Sequence, residues 1–393
     1  MLSRILVITV FRLACLALGT RMVLCGELPD IQSNITEILS TLTNFNGSRN
    51  DVTSPDRKNN IRDYIAASLK EYGLHVWTER PKIGDELRAE NIVGMIKSKR
   101  TGTADDKIVI VGAHYDTANH TTGVDDNGSG VTALLQVAKN VAKAKCRVEN
   151  TILFVAFDFE ELTKECKIPW PIACGSKAYV KNISSYLNET GGTIGGAIIL
   201  ETMLNHNSSA DSQIFPDGFE KLLPGAYKEV RSDSNRGNFL AVIGRNESDR
   251  KLLDLVLKYY SKDSNYRAQL LPIPIKGRPS LSPTHDYFIE LYRSDHYSFW
   301  DTKASYSAVM LGDTANFRGY MRHCYHKICD DFSQVKDDDL EFLRRSINAV
   351  IKTVLDLSDA DCTVHPSFGE TSVSANLFLM LVSLIGIFFS YSY

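Results

Sequence analysis

Short apolar runs alternate with amphipathic helical stretches through the middle of the chain, and this alternation constrains the fold more than any other feature. The runs KIVIVGA, TILFVAF and GGAIIL are typical of buried strands, and helical patterns such as SGVTALLQVAKNVAKA stand between them. Buried strands that alternate with helices indicate a parallel sheet covered on both faces. The sequence therefore predicts an α/β fold, a three-layer sandwich with a mixed, largely parallel central sheet flanked by helices.

Two long helices bracket this pattern. In the first, Ile61, Ile65 and Leu69 recur at helical spacing and share one face. The last stretch, QVKDDDLEFLRRSINAVIKTVLDL, is predicted to follow an N-cap at Ser333. Because the alternation continues without a linker, residues 27–360 are predicted to form one domain.

The two ends of the chain differ from the middle and indicate processing for the cell surface. Residues 1–25 combine the basic Arg4 with an apolar stretch, which predicts a secretory signal peptide. Residues 377–393 are apolar, and small residues precede them in the short linker 361–376. No basic residue follows the apolar tail, so a GPI-attachment signal is favoured, with a spanning helix as the alternative. We therefore expect the protein in the secretory pathway, attached to the cell surface or extracellular.

Sequons and cysteines agree with secretion. Asn-x-Ser/Thr sequons start at Asn34, Asn46, Asn119, Asn127, Asn182, Asn188, Asn207 and Asn246. The cysteines beyond residue 25 are even in number, which indicates disulfides in an oxidising compartment. Nearness in sequence favours Cys166–Cys174 and Cys324–Cys329 and leaves Cys146–Cys362, one of fifteen possible connectivities.

The charge balance bears on possible partners. Lys and Arg number 44 and Asp and Glu number 47, so the formal net charge is −3. Such a balance gives no electrostatic basis for binding nucleic acid. No run of like charges is long enough to indicate an acidic or basic tail.

Histidine, carboxylate and tyrosine side chains follow the ends of the predicted strands or lie in the loops beyond them. These residues are His114, Asp116, Asp126, Glu160, Glu161, Glu201, Tyr325 and His326. Each alone is ordinary turn or capping chemistry, but the carboxyl ends of parallel strands meet at one edge of a sheet. Imidazole nitrogen and carboxylate oxygen together suit Zn²⁺ in a hydrolytic site.

The motifs GAHYDT, GVDDNGSG, FDFEE, SDHYSFW and YHKICDD resemble, in order and spacing, the secreted zinc aminopeptidases of the bacterial leucyl-aminopeptidase type. That family includes glutamate carboxypeptidase-like enzymes and has glutaminyl cyclases as relatives, and the likeness runs from about Leu39 to Leu357. It implies the zinc exopeptidase fold. It also implies removal of N-terminal residues from peptide substrates by water that two zinc ions activate.

The resemblance further implies five metal ligands. His114 and Glu201 would bind the first zinc ion, and Glu161 and His326 the second. Asp126 would bridge both ions. Glu201 stands where many relatives have Asp, so its side chain is one methylene longer than usual.

Three other residues receive roles from the same resemblance. Glu160 would be the general base, and Asp116 would orient the imidazole of His114. Tyr325 would donate to the developing oxyanion. His296 of SDHYSFW is expected to lie nearby without binding metal.

Other functions stay open on the sequence alone. A zinc carboxypeptidase needs a cationic pocket for the terminal carboxylate, and Arg278, Arg318 and Arg322 are candidates. A glutaminyl cyclase-like enzyme would use a similar scaffold with a single zinc ion. A non-catalytic ectodomain of the same fold would have lost metal ligands, and candidates for all of them are present.

Overall fold

The structure, a computed structural model, describes residues 28–83, 87–161, 173–260, 263–279 and 288–363. The described residues up to Cys362 belong to one compact unit. The predicted signal peptide, the hydrophobic tail and nearly all of the predicted linker lie outside the described residues. Within the described ranges, no helix combines the length and the apolar character needed to cross a bilayer.

A mixed eight-stranded sheet forms the centre of the fold. Its strands are β1 (His75–Glu79), β2 (Asn91–Ile96), β3 (Lys107–His114), β4 (Ile152–Phe157), β5 (Thr193–Glu201), β6 (Phe239–Arg245), β7 (Arg267–Ile273) and β8 (Ala308–Gly312). They lie in the order β1-β2-β4-β3-β5-β8-β6-β7, and four of the seven neighbouring pairs are parallel. The predicted mixed, largely parallel sheet is confirmed.

Helices cover both faces of this sheet. They are α1 (Ile35–Thr43), α2 (Pro55–Glu71), α3 (Gly130–Lys143), α4 (Cys174–Thr190), α5 (Phe219–Leu222), α6 (Pro224–Ser232), α7 (Arg250–Tyr259), α8 (His296–Trp300), α9 (Met321–Cys324) and α10 (Asp337–Leu357). The predicted face of α2, formed by Ile61, Ile65 and Leu69, is buried.

Alternating side chains of the strands pack into two separate apolar clusters. Val109 and Val111 of β3 belong to the cluster that contains buried side chains of α1, α2, α3, α7 and α10. Ile108 and Ile110 of the same strand belong to the cluster that contains buried side chains of α4, α6 and α8. Because successive strand residues point to opposite faces, the two clusters are the two interfaces of a three-layer sandwich.

The last helix begins later than predicted, so the prediction of Ser333 as its N-cap is wrong. The Asp331 carboxylate accepts the N–H of Ser333 at 2.8 Å in a short 3₁₀ turn. Helix α10 then starts at Asp337, and the Asp339 carboxylate accepts the N–H of Lys336 at 2.9 Å. Aspartate side chains therefore accept the N–H groups of Ser333 and Lys336 ahead of the helix.

Two of the three predicted disulfides are present. Cys146–Cys362 joins residues that are 216 positions apart, and Cys324–Cys329 spans five. The second bond encloses the segment that carries Tyr325 and His326. The third predicted pair, Cys166–Cys174, cannot be placed because Cys166 lies outside the described residues.

Four adjacent parallel strands, β4, β3, β5 and β8, bring their carboxyl ends to one edge of the sheet. His114 is the last residue of β3, and Glu201 is the last residue of β5. Asp158 directly follows β4. This edge is where functional side chains gather in open α/β sheets.

Candidate active site

The carboxyl-terminal edge of the sheet brings together all eight residues singled out from the sequence. His114 and Glu201 end two strands, and Asp126 lies in the irregular turn before α3. The remaining residues lie in loops or just past strand ends: Asp116, Glu160, Glu161, Tyr325 and His326.

Two groups of three residues each form a potential metal site. In the first, His114 Nε2 lies 3.2 Å from Glu201 Oε2 and 3.5 Å from Asp126 Oδ1. In the second, His326 Nε2 lies 3.2 Å from both Asp126 Oδ2 and Glu161 Oε1. Since Asp126 turns one oxygen toward each histidine, it is common to both groups.

Two buried oxygens of the second group support metal binding. Asp126 Oδ2 and Glu161 Oε1 are buried and receive no hydrogen bond within the described structure, although His326 Nε2 is close. Burying unpaired carboxylate oxygens is costly, and a coordinated cation removes that cost. The nitrogen and oxygen donors of both groups are a set that zinc accepts. The residues therefore fit a pair of divalent metal ions.

The pKa values show how much negative charge is concentrated here. Burial raises the pKa of Glu160 well above its ordinary value, and burial with the nearby Asp126 charge also raises that of Glu161. Burial alone would lower the pKa of His326, but the Asp126 and Glu161 carboxylates raise it to about 11. Burial and repulsion between the carboxylates favour the protonated forms of these side chains. Bound cations would replace those protons.

Backbone hydrogen bonds hold Asp126 in place. The Asp330 carboxylate accepts the N–H groups of Asp125 at 2.9 Å and Asp126 at 3.0 Å. Asp330 belongs to the YHKICDD motif, so it links the loop that carries His326 to the turn that carries Asp126. Sequence reasoning had assigned Asp330 no role.

Asn127 is also part of this scaffold, although it begins a sequon. Its side chain is fully buried, and its Nδ2 donates to the Leu200 carbonyl at 2.9 Å. Its Oδ1 accepts the N–H groups of Gly130 and Thr202, both at 3.1 Å. The amide nitrogen that glycosylation would modify therefore already donates a hydrogen bond inside the protein.

Asp116 fixes the turn that carries the two adjacent glutamates. Its carboxylate accepts the N–H of Glu160 at 3.2 Å and that of Glu161 at 3.1 Å. The same carboxylate lies 3.5 Å from His114 Nδ1. Asp116 thus connects one histidine to both glutamates through a single side chain.

Tyr325 is held by Arg293, a residue that sequence reasoning missed. The guanidinium of Arg293 donates to the Tyr325 hydroxyl, and it also donates to Glu290 at 2.7 Å and Asn316 at 3.1 Å. Arg293 directly precedes the SDHYSFW motif. That position was the available signal, but nothing in the sequence indicates that its side chain reaches Tyr325.

The SDHYSFW motif contributes to the site through its serine rather than its histidine. Ser294 Oγ donates to Glu201 Oε2 at 2.6 Å, so it orients a carboxylate of the first group. His296 is fully buried, approaches the Leu291 carbonyl at 3.0 Å through Nε2, and packs edge-on against Trp300. It belongs to neither metal group.

An apolar cavity opens beside the two groups. Its volume is about 880 Å³, part of which is open to solvent. Asp126, Glu160, Glu201 and Glu290 line it together with Tyr325. Its apolar lining includes Ile214, Phe215, Phe219, Phe239, Leu271 and Met310.

Comparison with known proteins agrees with the motifs. Residues 91–253 match the model of Peptidase family M28. Uncharacterized protein YfbL of Escherichia coli is 25% identical over 231 residues, 56% of this chain and 60% of that protein. Aminopeptidase YwaD of Bacillus subtilis is 35% identical over 96 residues, 24% of this chain and 18% of that protein. The chain thus spans less than two thirds of the length of these relatives.

Solved structures show the same fold. The LapA aminopeptidase of Legionella pneumophila has a TM-score of 0.56 at 16% identity, over 83% of this chain and 72% of that one. A glutaminyl cyclase of Bacteroides thetaiotaomicron has a TM-score of 0.51 at 15% identity, over 83% and 99% of the two chains. The predicted resemblance to the zinc aminopeptidase family is therefore confirmed, with residues 91–253 carrying the match to Peptidase family M28.

Proposed function

We propose that this chain is a zinc-dependent aminopeptidase that removes apolar residues from the N-termini of peptides. The observation that carries the proposal is the apolar cavity with carboxylates from both metal groups in its wall. A side chain that enters the cavity brings its own backbone next to those carboxylates. The bond cleaved is then the first peptide bond of the substrate.

The character of the cavity supports the choice of side chain. Apolar residues form more than half of its lining, so burial of an apolar side chain is favourable there. The lining decides this choice, since the volume of about 880 Å³ includes space that is open to solvent. A negatively charged side chain would lose its hydration and meet acidic residues of the lining.

The carboxylates around the cavity support a free amino terminus on the substrate. Four of the described residues that line the cavity are acidic, and Arg293 is the one cation among them. Arg293 already donates to Tyr325, Glu290 and Asn316. The cavity therefore offers negative charge to an ammonium group and no uncommitted cation to a carboxylate.

The metal ligands follow from the two groups. His114, Asp126 and Glu201 would hold one zinc ion, and Asp126, Glu161 and His326 would hold the other. Two zinc ions, when bound, supply Lewis-acid chemistry that makes water nucleophilic near neutral pH and polarises a carbonyl.

The protein's own residues supply the proton transfer and hold the substrate. Glu160 is outside both metal groups and lines the cavity, so it accepts a proton from the attacking water and passes it to the leaving amine. Tyr325, held by Arg293, donates to the oxygen that gains negative charge. The Asp116 carboxylate holds His114 and the turn that carries Glu160 and Glu161 in fixed relative positions.

The carboxypeptidase alternative loses support from its candidate arginines. Arg318 is fully buried and donates to Gln213 and the Asn205 carbonyl. Arg278 is mostly exposed and pairs with Asp301, and Arg322 is exposed. None of these three arginines is among the described residues that line the cavity.

The glutaminyl cyclase alternative is less well supported than hydrolysis. A single zinc ion needs one group of three donors, whereas the structure has two such groups that share Asp126. The non-catalytic alternative is disfavoured because all five candidate ligands are grouped.

We also propose that the protein acts in the secretory pathway or at the cell surface, where the C-terminal tail would serve as a lipid anchor. The two observed disulfides suit an oxidising compartment. Six of the eight sequon asparagines are exposed. These are Asn34, Asn46, Asn119, Asn182, Asn188 and Asn246.

A substrate panel tests the proposed activity. The purified protein is assayed with leucine, phenylalanine, glutamate and N-acetyl-leucine 4-nitroanilides, and with a peptide that begins with glutamine. We expect cleavage of the leucine and phenylalanine substrates alone, its loss with a chelator, and its return with zinc. Cleavage of N-acetyl-leucine 4-nitroanilide, or cyclisation of the glutamine peptide without hydrolysis, would contradict an aminopeptidase.

A further inference from the structure

The turn that carries Glu160 and Glu161 has a demanding backbone. Phe159, directly before them, is buried and adopts a φ of 52°, in the left-handed region that non-glycine residues rarely adopt. The turn also packs closely against helix α4, since a Cβ atom at Gly175 would lie 1.7 Å from the Asp158 carbonyl oxygen. Such a conformation persists only where surrounding contacts determine it.

Asp158 supplies several of those contacts. Its Oδ1 accepts the N–H of Phe159 at 2.9 Å, and its Oδ2 accepts the N–H of Glu90 at 3.0 Å. Its own N–H donates to Asn91 Oδ1 at 2.9 Å. The Asp158 side chain is 2% exposed, so its charge needs a partner inside the protein.

That partner is Lys58 of helix α2, which belongs to none of the motifs. Lys58 Nζ lies 2.7 Å from Asp158 Oδ1 and 3.7 Å from the centre of the Phe159 ring. The Lys58 side chain is 6% exposed. Its second carboxylate neighbour, Asp51, is 3.5 Å away and 40% exposed, so that contact is weaker. One buried ammonium thus contacts two consecutive residues of the turn.

We propose that Lys58 is a positioning residue for Glu160 and Glu161, an inference that rests on the function proposed for those two residues. Asp116 holds the turn from the side of the site through the N–H groups of both glutamates. Lys58 holds it from the opposite end through Asp158 and Phe159. Losing the ammonium leaves Asp158 buried and unpaired, and the turn relaxes to solvate that carboxylate.

The proposal predicts a specific kinetic pattern. Lys58 does not line the cavity, so its loss is not expected to change how the substrate side chain binds. A shift of about 1 Å in reacting groups costs on the order of 10²-fold in rate. Lys58→Met, which keeps most of the volume, should therefore lower kcat by about 10- to 100-fold and leave KM within about threefold. Because Glu161 is a proposed ligand, zinc affinity should fall as well.

The test compares four proteins: the unaltered chain, Lys58→Met, Lys58→Met with Asp158→Asn, and Lys70→Met as control. Lys70 is an exposed lysine of the same helix. Each is measured for kcat, KM, zinc affinity by competition with a chelating dye, and the visible spectrum of bound Co²⁺. The added Asp158→Asn removes the unpaired charge, but its amide nitrogen faces one of the N–H donors of Phe159 and Glu90, so it should recover only part of the lost zinc affinity and kcat.

The following outcomes decide the proposal. Unchanged kcat, zinc affinity and Co²⁺ spectrum in Lys58→Met would overturn it, and partial relief by Asp158→Asn would support it. If Lys58→Met does not fold, the double variant is compared with Asp158→Asn alone: equal kcat and zinc affinity contradict the proposal, and lower values in the double variant support it. If the unaltered protein binds zinc but cleaves no peptide, the proposed function fails while the zinc and Co²⁺ readouts still test Lys58.

Discussion

Arg293 donates a hydrogen bond to the Tyr325 hydroxyl, and its guanidinium carbon lies 5.1 Å from the centre of the Tyr325 ring. Glu290 and Asn316 fix the guanidinium from the other side. The tyrosine proposed to stabilise the oxyanion therefore depends on a neighbour for its orientation. Tyr325 itself lies in a loop that the Cys324–Cys329 disulfide closes.

Removing the guanidinium should impair turnover through the tyrosine. We expect Arg293→Gln and Tyr325→Phe each to lower kcat by about 10²- to 10³-fold, as loss of an oxyanion donor does. The double variant should be little worse than either single variant, since both remove the same contribution. Steady-state kinetics on leucine 4-nitroanilide measures this, with Arg278→Gln as an exposed control. Additive losses would show that the two residues act separately.

The sequence predicted several side chains of the two candidate metal groups at strand ends, and the motif resemblance assigned them as ligands. His114 and Glu201 are strand ends, and in a parallel sheet the ends of neighbouring strands meet. Apolar runs identify such strands, and the polar residue that follows each run is visible in the sequence. The order of the motifs supplied the rest of the group, including Asp126 in its irregular turn.

The cavity and the supporting contacts could not be predicted in the same way. Ile214, Phe239 and Met310 line one cavity but lie in a loop and two different strands. From the sequence alone, an apolar residue that faces a cavity cannot be distinguished from one that faces the core. The contact between Lys58 and Asp158 joins residues 100 positions apart, and no spacing rule connects them.

The two histidines of the late motifs should differ in their effect on metal content. His326 Nε2 faces two carboxylate oxygens at 3.2 Å, whereas His296 approaches a backbone carbonyl. His326→Ala should therefore lower the zinc content of the purified protein more than His296→Ala. Elemental analysis by mass spectrometry measures the metal-to-protein ratio of each variant. A larger loss of zinc from His296→Ala would show that the ligand assignment is wrong.

His296 should instead make stability depend on pH. Burial lowers the pKa of His296 to about 4, from an ordinary value of 6.5. Between these values the unfolded chain binds a proton that the folded chain does not, so the unfolding free energy falls as the pH falls. The full effect is on the order of 3 kcal/mol. The decrease in unfolding free energy is absent above pH 6.5 and complete below pH 4.

Urea unfolding of His296→Gln measures that contribution. The glutamine amide can still donate to the Leu291 carbonyl but does not titrate. Between pH 7 and pH 4.5 the variant should lose less unfolding free energy than the unaltered protein does. His323→Gln, at an exposed histidine, should keep the original dependence. Identical pH slopes for His296→Gln and the unaltered protein would show that His296 is not the group responsible.

Asn127 should remain unmodified when the protein is made in a secretory host. Its Nδ2 donates to Leu200, and its side chain is fully buried beside Asp126. Glycosylation would require this turn to fold with a large polar group in place of a buried hydrogen bond. Glycopeptide mass spectrometry should find Asn127 unoccupied, while exposed asparagines such as Asn46 and Asn246 are open to modification. A glycan at Asn127 in active protein would exclude the observed arrangement of the turn.

Glu160 and Glu161 are neighbours on one turn, but the structure places them differently. Glu161 Oε1 lies 3.2 Å from His326 Nε2 within a metal group. Glu160 belongs to neither group, lies 3.9 Å from His114 Nε2, and lines the cavity. Both backbone N–H groups donate to Asp116, so a glutamine at either position keeps the turn's anchoring. Substitution of either side chain therefore tests its role rather than the turn.

Glu161→Gln replaces an anionic donor with a weakly coordinating amide and should lower both zinc content and activity. Glu160→Gln keeps the size of the side chain but removes the proton acceptor. It should retain zinc and KM while kcat falls by about 10²- to 10⁴-fold, the contribution of a positioned general base. Zinc stoichiometry and kcat measured side by side separate the two roles. Small and equal effects would mean that both glutamates only cap the turn, and near-full turnover in Glu160→Gln would exclude Glu160 as the base.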